Sequence, residues 1–187
     1  MNRVLDQNPP FAGPAEAPIM DAMRDPARLA PAVVLATSAS LMLGALAFQY
    51  IGGLFPCPLC MFQRYPHVFT IVLGILALGS VLTGRTGAVP WLLGLAGLSL
   101  LAGAGVAVFH TGVEQGWWQG LSSCAGPGAG ASLAETLKQA GAGPAARCDE
   151  VPWSLLGISM AGYNALISIA VGLFALWAAA RWPRAVR

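Results

Sequence analysis

Residues 57–85 read CPLCMFQRYPHVFTIVLGILALGSVLTGR. No charged side chain occurs between Arg64 and Arg85. A helix that crosses the hydrocarbon core of a bilayer, which is about 30 Å thick, needs roughly 20 predominantly apolar residues, and this run is long enough. It therefore predicts a transmembrane helix, and two cysteines stand just before the charge-free run.

The rest of the chain repeats this pattern. Charge is also absent between Arg28 and Arg64, between Arg85 and Glu114, and between Glu150 and Arg181. Of the 187 residues, 56% are hydrophobic and only 10% are charged, and the mean hydropathy is +0.65. A soluble domain carries charge on about a quarter of its residues. We predict an all-α membrane protein, a bundle of four transmembrane helices at about 30–52, 65–83, 89–110 and 160–180, with two extracytoplasmic loops at about 53–64 and 111–158.

The predicted bundle occupies residues 29–182 and lies between two tails. Residues 1–28 are rich in proline and are expected to form a disordered cytoplasmic tail, and residues 183–187 a short second one. The alternative for the N-terminus is a cleaved signal peptide, since Arg24 and Arg28 precede an apolar run that contains Ala45-Leu46-Ala47. That run continues to Phe55, which is too long for such a peptide, so we favour an uncleaved first span.

The distribution of basic residues predicts the orientation. The two tails and the link between the second and third spans carry seven basic residues: Arg3, Arg24, Arg28, Arg85, Arg181, Arg184 and Arg187. The other two connections between spans carry three: Arg64, Lys138 and Arg147. Because the richer side is normally cytoplasmic, both termini are expected in the cytoplasm and both loops outside it.

The four cysteines all fall in the two predicted outer loops. Cys57 and Cys60 lie in the first loop, and Cys124 and Cys148 lie in the second. We expect no cysteine in a span or on the cytoplasmic side. Disulfides persist in oxidising compartments such as the bacterial periplasm, so the cysteines lie where disulfide chemistry is expected.

Four cysteines can form a zinc site, a haem attachment site, structural disulfides or a redox pair. A zinc site normally has two Cys-x-x-Cys pairs, whereas the second pair here is widely spaced. A c-type haem needs histidine where Met61 stands. A disulfide between Cys124 and Cys148 would close a loop worth about 3 kcal/mol, but one between Cys57 and Cys60 closes almost nothing. Two inert structural bridges remain an alternative, although the Cys-x-x-Cys spacing favours a redox pair.

Two features of the spans support particular roles. Arg64 is four residues after Cys60, so on a helix that starts near Cys60 it lies one turn away and can stabilise a thiolate. The glycines and alanines of the third span, together with Gly74, Gly79, Gly162 and Gly172, are expected to let the helices pack closely.

At this point the sequence resembles a known family. Cys57-Pro58-Leu59-Cys60 with Arg64, then His110-Thr111, Cys124, Cys148, Trp153, Leu156-Gly157 and Met160, are similar to the pattern of the disulfide-bond formation protein B (DsbB) family. Its members are bacterial inner-membrane oxidoreductases. The resemblance covers residues 30–180, and it departs in the long N-terminal tail and in the composition between Cys124 and Cys148.

The resemblance implies a complete function. A periplasmic thioredoxin-like oxidant (DsbA-like) would give up electrons to a Cys124–Cys148 disulfide by attack at Cys124, and a Cys57–Cys60 disulfide would pass them to a membrane quinone, a ubiquinone or a menaquinone. Cys60, Arg64, His110 and Met160 would bind the quinone.

The expected localisation is the bacterial inner membrane, with lipid, quinone and the oxidant as partners and neither metal nor nucleic acid bound. Two other functions stay open: a membrane scaffold or binding protein with two structural disulfides, and a member of the same family dedicated to one partner.

Overall fold

The computed structural model describes residues 26–121 and 146–182. The predicted N-terminal tail before residue 26, the short C-terminal tail and Cys124 lie outside these ranges. The described helices are α1 (Pro26–Tyr50), α2 (Pro58–Leu82), α3 (Val89–Glu114) and α4 (Met160–Arg181). A 3₁₀ helix, Thr86–Ala88, leads into α3, and a two-stranded hairpin, β1 (Ser154–Leu155) and β2 (Ile158–Ser159), leads into α4.

The predicted fold class is confirmed. Four helical segments within the described ranges are long and apolar enough to cross a membrane: Arg28–Tyr50, Pro58–Leu82, Thr86–Glu114 and Met160–Arg181. Helix α3 packs against both α2 and α4, and α1 packs against α2 and α4. Short connections make α1 and α2, and α2 and α3, antiparallel neighbours. The bond between Ser159 and Glu114 places the start of α4 beside the end of α3. The end of α1, the start of α2, the end of α3 and the start of α4 therefore meet at one end of the bundle.

Helix α2 begins earlier than the sequence predicted. Its first residue is Pro58, whereas we expected the span to start at about residue 65. Proline is favoured in the first turn because its missing N–H would have no helical partner there. Cys57, with φ −75° and ψ 167°, is the N-cap, and its sulfur accepts the backbone N–H of Cys60 at 3.3 Å. The expectation that no cysteine lies within a span is therefore corrected: Cys60 belongs to the first turn of α2.

Helix α3 extends past its expected end at residue 110 and reaches Glu114. Gly116 has φ +71°, and the N–H groups of Gly116 and Trp117 bond to the carbonyls of Val113 and Gly112 at 3.1 Å and 2.8 Å. This pair of bonds is a Schellman motif, which satisfies the last carbonyls of a helix. As a result, Glu114 stands on the last turn of α3, near the cysteine pair.

Some of the predicted small residues do permit close packing. A Cβ atom at Gly97 of α3 would lie 2.9 Å from the carbonyl oxygen of Gly172 in α4, and one at Gly74 would lie 2.9 Å from the Cβ of Leu35 in α1. A Cβ atom at Gly79, Gly94 or Gly105 would meet open space among the described residues, so the packing role was wrong for these three.

The hairpin before α4 completes the cysteine-bearing end of the bundle. Leu156 and Gly157 form its turn with φ of 52° and 78°, as a type I′ turn requires. The ring of Trp153 packs against Phe48 of α1, with centroids 5.1 Å apart. Ser159 then caps α4, since its hydroxyl accepts the Gly162 N–H at 3.1 Å. The hairpin thereby fixes where α4 begins relative to α1 and α3.

Candidate functional site

Cys57 and Cys60 lie together at the start of α2. Their sulfurs are 2.9 Å apart, and the Cys57 thiol donates a hydrogen bond to the sulfur of Cys60. Both cysteines are present as free thiols, with Cys57 buried and Cys60 half-buried. The sulfurs are close enough that a small movement would bring them to bonding distance. The Cys57–Cys60 disulfide itself stays a prediction for the oxidised protein.

The hydrogen bond between the two thiols gives them different roles. It raises the pKa of Cys57, and burial of this thiol raises it further. Cys57 therefore holds its proton, and its S–H points at Cys60. A negative charge on the reduced pair consequently resides on Cys60.

Cys148 comes close to this pair from the second loop. It is fully buried and is disulfide-bonded. The sulfurs of Cys57 and Cys148 and a ring nitrogen of His110 all lie within 4.8 Å of one another. Three such groups can also hold a metal ion, but a sulfur in a disulfide is not the thiolate that zinc requires. The geometry instead suits exchange between the sulfurs of Cys57 and Cys148.

His110 and Glu114 occupy successive turns of α3 beside the sulfurs. Nε2 of His110 is 3.5 Å from the Cys57 sulfur and 3.9 Å from Oε1 of Glu114. His110 also hydrogen-bonds to the backbone of Cys148. The hydroxyl of Ser159 donates to Oε2 of Glu114. The end of α3 therefore supplies an imidazole and a carboxyl group to the same small volume.

A cavity of about 680 Å³ opens beside the cysteine pair. Cys57, Cys60 and Arg64 line it, together with His110 and Met160. Its apolar wall includes Phe48, Leu54, Phe55, Trp153 and Ile167, and its polar wall includes Gln63, His67, Glu114 and Asn164. Of the predicted site residues that the structure describes, all except Cys148 line this cavity.

Arg64 contributes a cation to the cavity wall. It lies one turn after Cys60 on α2, and its Nη1 donates a hydrogen bond to Oε1 of Gln49 in α1 at 2.7 Å. A bond between α1 and α2 thus orients the guanidinium while it lines the cavity. No sequence pattern indicated Gln49 as the partner of Arg64.

Sequence reasoning missed a row of polar side chains that forms part of the cavity wall. Gln63 and His67 are buried on α2, and Asn164 and Ser168 lie on α4. Gln63 contacts both His110, at 2.8 Å, and Asn164, at 2.6 Å. A detectable signal was present, because polar residues in a membrane helix are costly and Gln63 and His67 lie one turn apart on one face.

The loop around Cys148 carries its own charged contacts. Arg147 donates to Asp149 at 2.6 Å and also pairs with Glu150 at 3.2 Å. The hydrogen bond from Arg147 holds the pKa of the Asp149 carboxyl below its ordinary value. These groups are exposed, so they contribute little to stability and mainly order the backbone on either side of Cys148.

Comparison with known proteins agrees with this arrangement. Residues 27–178 match the family described as disulfide bond formation protein DsbB. A protein named disulfide bond formation protein B from Azoarcus sp. (strain BH72) is 36% identical over 154 residues, 77% of this chain and 87% of the relative. The protein of the same name from Verminephrobacter eiseniae (strain EF01-2) is 33% identical over 174 residues, 88% of this chain and 92% of the relative.

A third relative of that name, from Polaromonas sp. (strain JS666 / ATCC BAA-500), is 34% identical over 168 residues, 83% of this chain and 90% of the relative. No solved structure matches the chain. The family match covers nearly the full length of the four helices, and Cys57, Cys60 and Cys148 all lie within it. The chain therefore belongs to the DsbB family of membrane disulfide bond formation proteins.

Proposed function

We propose that this protein is a thiol:quinone oxidoreductase of the bacterial inner membrane. It reoxidises a periplasmic thioredoxin-like oxidant (DsbA-like) and passes the electrons through Cys124 and Cys148, then Cys57 and Cys60, to a membrane quinone. The observation that carries the proposal is the position of Cys57, which lies within 4.8 Å of the Cys148 sulfur and also lines the cavity. One sulfur thus connects the second loop with the cavity.

The first exchange takes place in the second loop. The thiolate of the reduced partner attacks Cys124 of a Cys124–Cys148 disulfide, so that a mixed disulfide forms and Cys148 leaves as a thiolate. The second thiol of the partner then breaks the mixed disulfide. The partner leaves oxidised, and its two electrons and two protons remain with Cys124 and Cys148.

The second exchange moves these electrons to the membrane surface. Cys148 attacks Cys57 of a Cys57–Cys60 disulfide, forming a Cys57–Cys148 bond and releasing Cys60 as a thiolate. Cys124 then closes on Cys148 and frees Cys57. Loss of two electrons from Cys57 and Cys60 restores their disulfide and completes the cycle.

The energetics require a strong final acceptor. A periplasmic oxidant of this class has a reduction potential of about −120 mV, whereas a structural disulfide lies below about −300 mV. Reoxidising the partner with an ordinary disulfide would be uphill by about 180 mV or more, which is about 8 kcal/mol for two electrons. A bound quinone would supply the missing driving force. It would take up two electrons and two protons per turnover.

The cavity fits such a group. Its volume of about 680 Å³ is within the usual range for small-molecule sites, and its wall is mostly apolar with a few polar groups. Nδ1 of His67, a residue of this wall, is buried and has no hydrogen-bond partner among the described residues. We propose that Cys60, Arg64, His110 and Met160 hold the quinone, with the Arg64 cation favouring negative charge on the Cys60 sulfur.

Trapping the intermediate tests the proposal. In membranes that contain a reduced thioredoxin-like oxidant whose second cysteine is replaced by serine, the wild-type chain should accumulate a mixed disulfide between the oxidant and Cys124, because the attack releases Cys148 and the oxidant has no second thiol to break the new bond. Non-reducing gels and mass spectrometry detect this species. The matched control, Cys124→Ala, should yield none. A mixed disulfide that forms equally well in the control would contradict the assigned order of attack.

Quinone depletion separates this function from the scaffold alternative. The wild-type chain should accumulate free thiols at its cysteines when membranes lack quinone and reduced oxidant is present. Two inert structural disulfides would stay oxidised under the same conditions. Thiol labelling that does not change on depletion would therefore favour the scaffold.

A further inference from the structure

A row of hydrogen bonds crosses the bundle along the polar wall of the cavity. It begins on Asn164 of α4, whose Oδ1 lies 3.1 Å from the hydroxyl of Ser168 and 2.8 Å from Nε2 of His67. Nδ2 of Asn164 donates to Oε1 of Gln63 at 2.6 Å. The hydroxyl of Ser168 and the Nε2–H of His67 both donate to Oδ1 of Asn164, and the NH₂ group of Asn164 donates in turn to Gln63.

The carbonyl of Leu59 fixes the direction of this row. Nε2 of Gln63 lies 3.3 Å from the Leu59 oxygen and 2.8 Å from Nδ1 of His110. A backbone carbonyl can only accept, so the NH₂ side of Gln63 has to face it. Rotating the amide by 180° would bring two oxygens together. Gln63 is therefore a donor to His110 and an acceptor from Asn164.

The direction of the row determines the tautomer of His110. Because Nδ1 accepts the Gln63 N–H, the proton of the neutral ring is on Nε2. Nε2 lies 3.5 Å from the sulfur of Cys57, whose own S–H points at Cys60. Every bond in the row thus donates in the same direction, and the row ends at the Cys60 sulfur.

Two further groups lie beside the His110 ring. Oε1 of Glu114 is 3.9 Å from Nε2, and this carboxyl oxygen favours a proton on that nitrogen. The ring also bonds to the backbone of Cys148. Arg64, the charged residue nearest along α2, bonds to Gln49 and takes no part in the row.

We propose that Gln63, Asn164 and His67 are positioning residues for the cysteine pair. They hold His110 with its proton on Nε2, so His110 donates toward the Cys57 sulfur and does not act as a base at its Nδ1. This inference rests on the proposed function, because it assigns the row to the thiolate that reacts in the cavity.

The physical effect is stabilisation of negative charge at the end of the row. Hydrogen bonds that point the same way polarise one another, and they are stronger in a medium of low dielectric constant. A bond to an ionised acceptor is about twice as strong as a neutral one. Loss of one member should therefore reduce the thiolate population of Cys60 by about tenfold.

Histidine-selective NMR tests the tautomer directly. The whole sequence contains two histidines, so ¹⁵N-histidine labelling of the full-length protein gives signals from His67 and His110 alone. His67→Gln assigns the two rings. Both rings should carry the proton on Nε2 and an unprotonated Nδ1. In Gln63→Glu the carboxylate would face Nδ1 of His110. The ¹⁵N signals of His110 should then show a ring that is protonated on Nδ1.

Alkylation of Cys60 tests the consequence. In the full-length Cys124→Ser/Cys148→Ser protein, reduced and free of quinone, the rate of Cys60 modification by iodoacetamide at pH 7 is followed by mass spectrometry. Gln63→Leu should slow modification about tenfold, and Asn164→Leu, which does not touch His110, should slow it severalfold. His67→Leu should slow it as well, and His67→Gln should restore it because an amide N–H replaces the ring N–H.

Ser80→Ala is the matched control, since Ser80 is an exposed polar residue of the same helix whose hydroxyl donates to the Leu76 carbonyl. It should leave the alkylation rate unchanged. A wild-type His110 ring protonated on Nδ1 would overturn the inference, as would Gln63 and Asn164 variants that react like Ser80→Ala. Neither measurement uses quinone or a partner, so failure of the proposed function would appear separately as absent turnover in the wild-type protein.

Discussion

At the scale of single residues, the two thiols of one Cys-x-x-Cys pair are not equivalent. Cys57 is the N-cap of α2 and donates its S–H, and its pKa is raised by the bond to Cys60 and by burial. Cys60 lies in the first turn, where the unpaired N–H groups of a helix favour negative charge. The backbone therefore assigns the charge of the reduced pair to Cys60, next to the cavity.

The difference between the thiols predicts selective alkylation. A thiol with a raised pKa keeps its proton until the pH rises above its ordinary range, and only the thiolate reacts. In the reduced protein at pH 7, iodoacetamide should modify Cys60 at least about tenfold faster than Cys57. Peptide mass spectrometry measures both sites. Equal rates, or faster reaction of Cys57, would contradict the assignment.

Arg64 is the second residue with a specific expectation. Replacing it by glutamine removes the cation from the cavity wall but keeps a side chain that can hydrogen-bond. Turnover with a short-chain ubiquinone should fall about tenfold or more, because the loss of a single charge interaction commonly costs a factor of that size. Arg85→Gln, an exposed substitution at the opposite end of the bundle, is the control. Unchanged KM and kcat in Arg64→Gln would show that the cation has no role.

At the scale of secondary-structure elements, close packing of α3 against α4 holds the site together. Gly97 and Gly172 allow the two backbones to approach, and α3 carries His110 and Glu114 while α4 carries Asn164. Membrane helices associate mainly through such packing, because lipid provides no hydrophobic drive.

A methyl group at this contact should be costly. In Gly97→Ala the new Cβ would lie 2.9 Å from the Gly172 carbonyl oxygen and 2.9 Å from Cγ of Leu176. We expect destabilisation by about 1–3 kcal/mol. Gly94→Ala is the matched control on the same helix, since no atom of the described residues beyond its own stretch of helix lies within 4 Å of its Cβ position. Thermal unfolding in detergent micelles measures both, and equal stability of the two variants would refute this packing role.

The helices were predictable from the sequence, but some of their ends were not. A long charge-free run predicts a membrane span by itself, without knowledge of the helices that it packs against. The start of α2 was placed too late because the predicted first loop, at about 53–64, included Pro58, which occupies the first turn of the helix. The extension of α3 depends on the backbone bonds of Gly116 and Trp117, which no hydropathy pattern contains.

The site could be predicted only in part, for a related reason. Cys57, Cys60 and Arg64 are close in sequence, so helix geometry alone is enough to predict that they lie close together. Gln63 and Asn164 are 101 residues apart and meet only because α2 and α4 pack at one end of the bundle. The sequence shows that a polar residue lies in a membrane helix, but it does not show which helix provides its partner.

At the scale of the whole molecule, the bundle has two chemically different ends. Arg28, Arg85 and Arg181 stand at one end, and Cys57, Cys60, Cys148 and the hairpin stand at the other. By the positive-inside rule we propose that the arginine-bearing end is cytoplasmic. The cysteines would then face the oxidising side, where a soluble partner can reach them.

Cysteine labelling tests this orientation. In a chain with its four native cysteines replaced by serine, Leu156→Cys places a thiol on the hairpin turn, where Leu156 is 89% exposed. A membrane-impermeant maleimide added to spheroplasts should label Leu156→Cys directly and Arg85→Cys only after permeabilisation. The reverse pattern would invert the topology.

Quinone reduction by a reduced partner tests the central claim most directly. The purified full-length chain is mixed with a reduced thioredoxin-like oxidant and ubiquinone, and quinone loss and partner thiols are measured together. We expect one quinone to be reduced for each partner dithiol oxidised, and Cys57→Ser and Cys60→Ser each to abolish turnover. Quinone reduction that persists without Cys57 and Cys60, or partner oxidation with no quinone consumed, would contradict the proposed electron path.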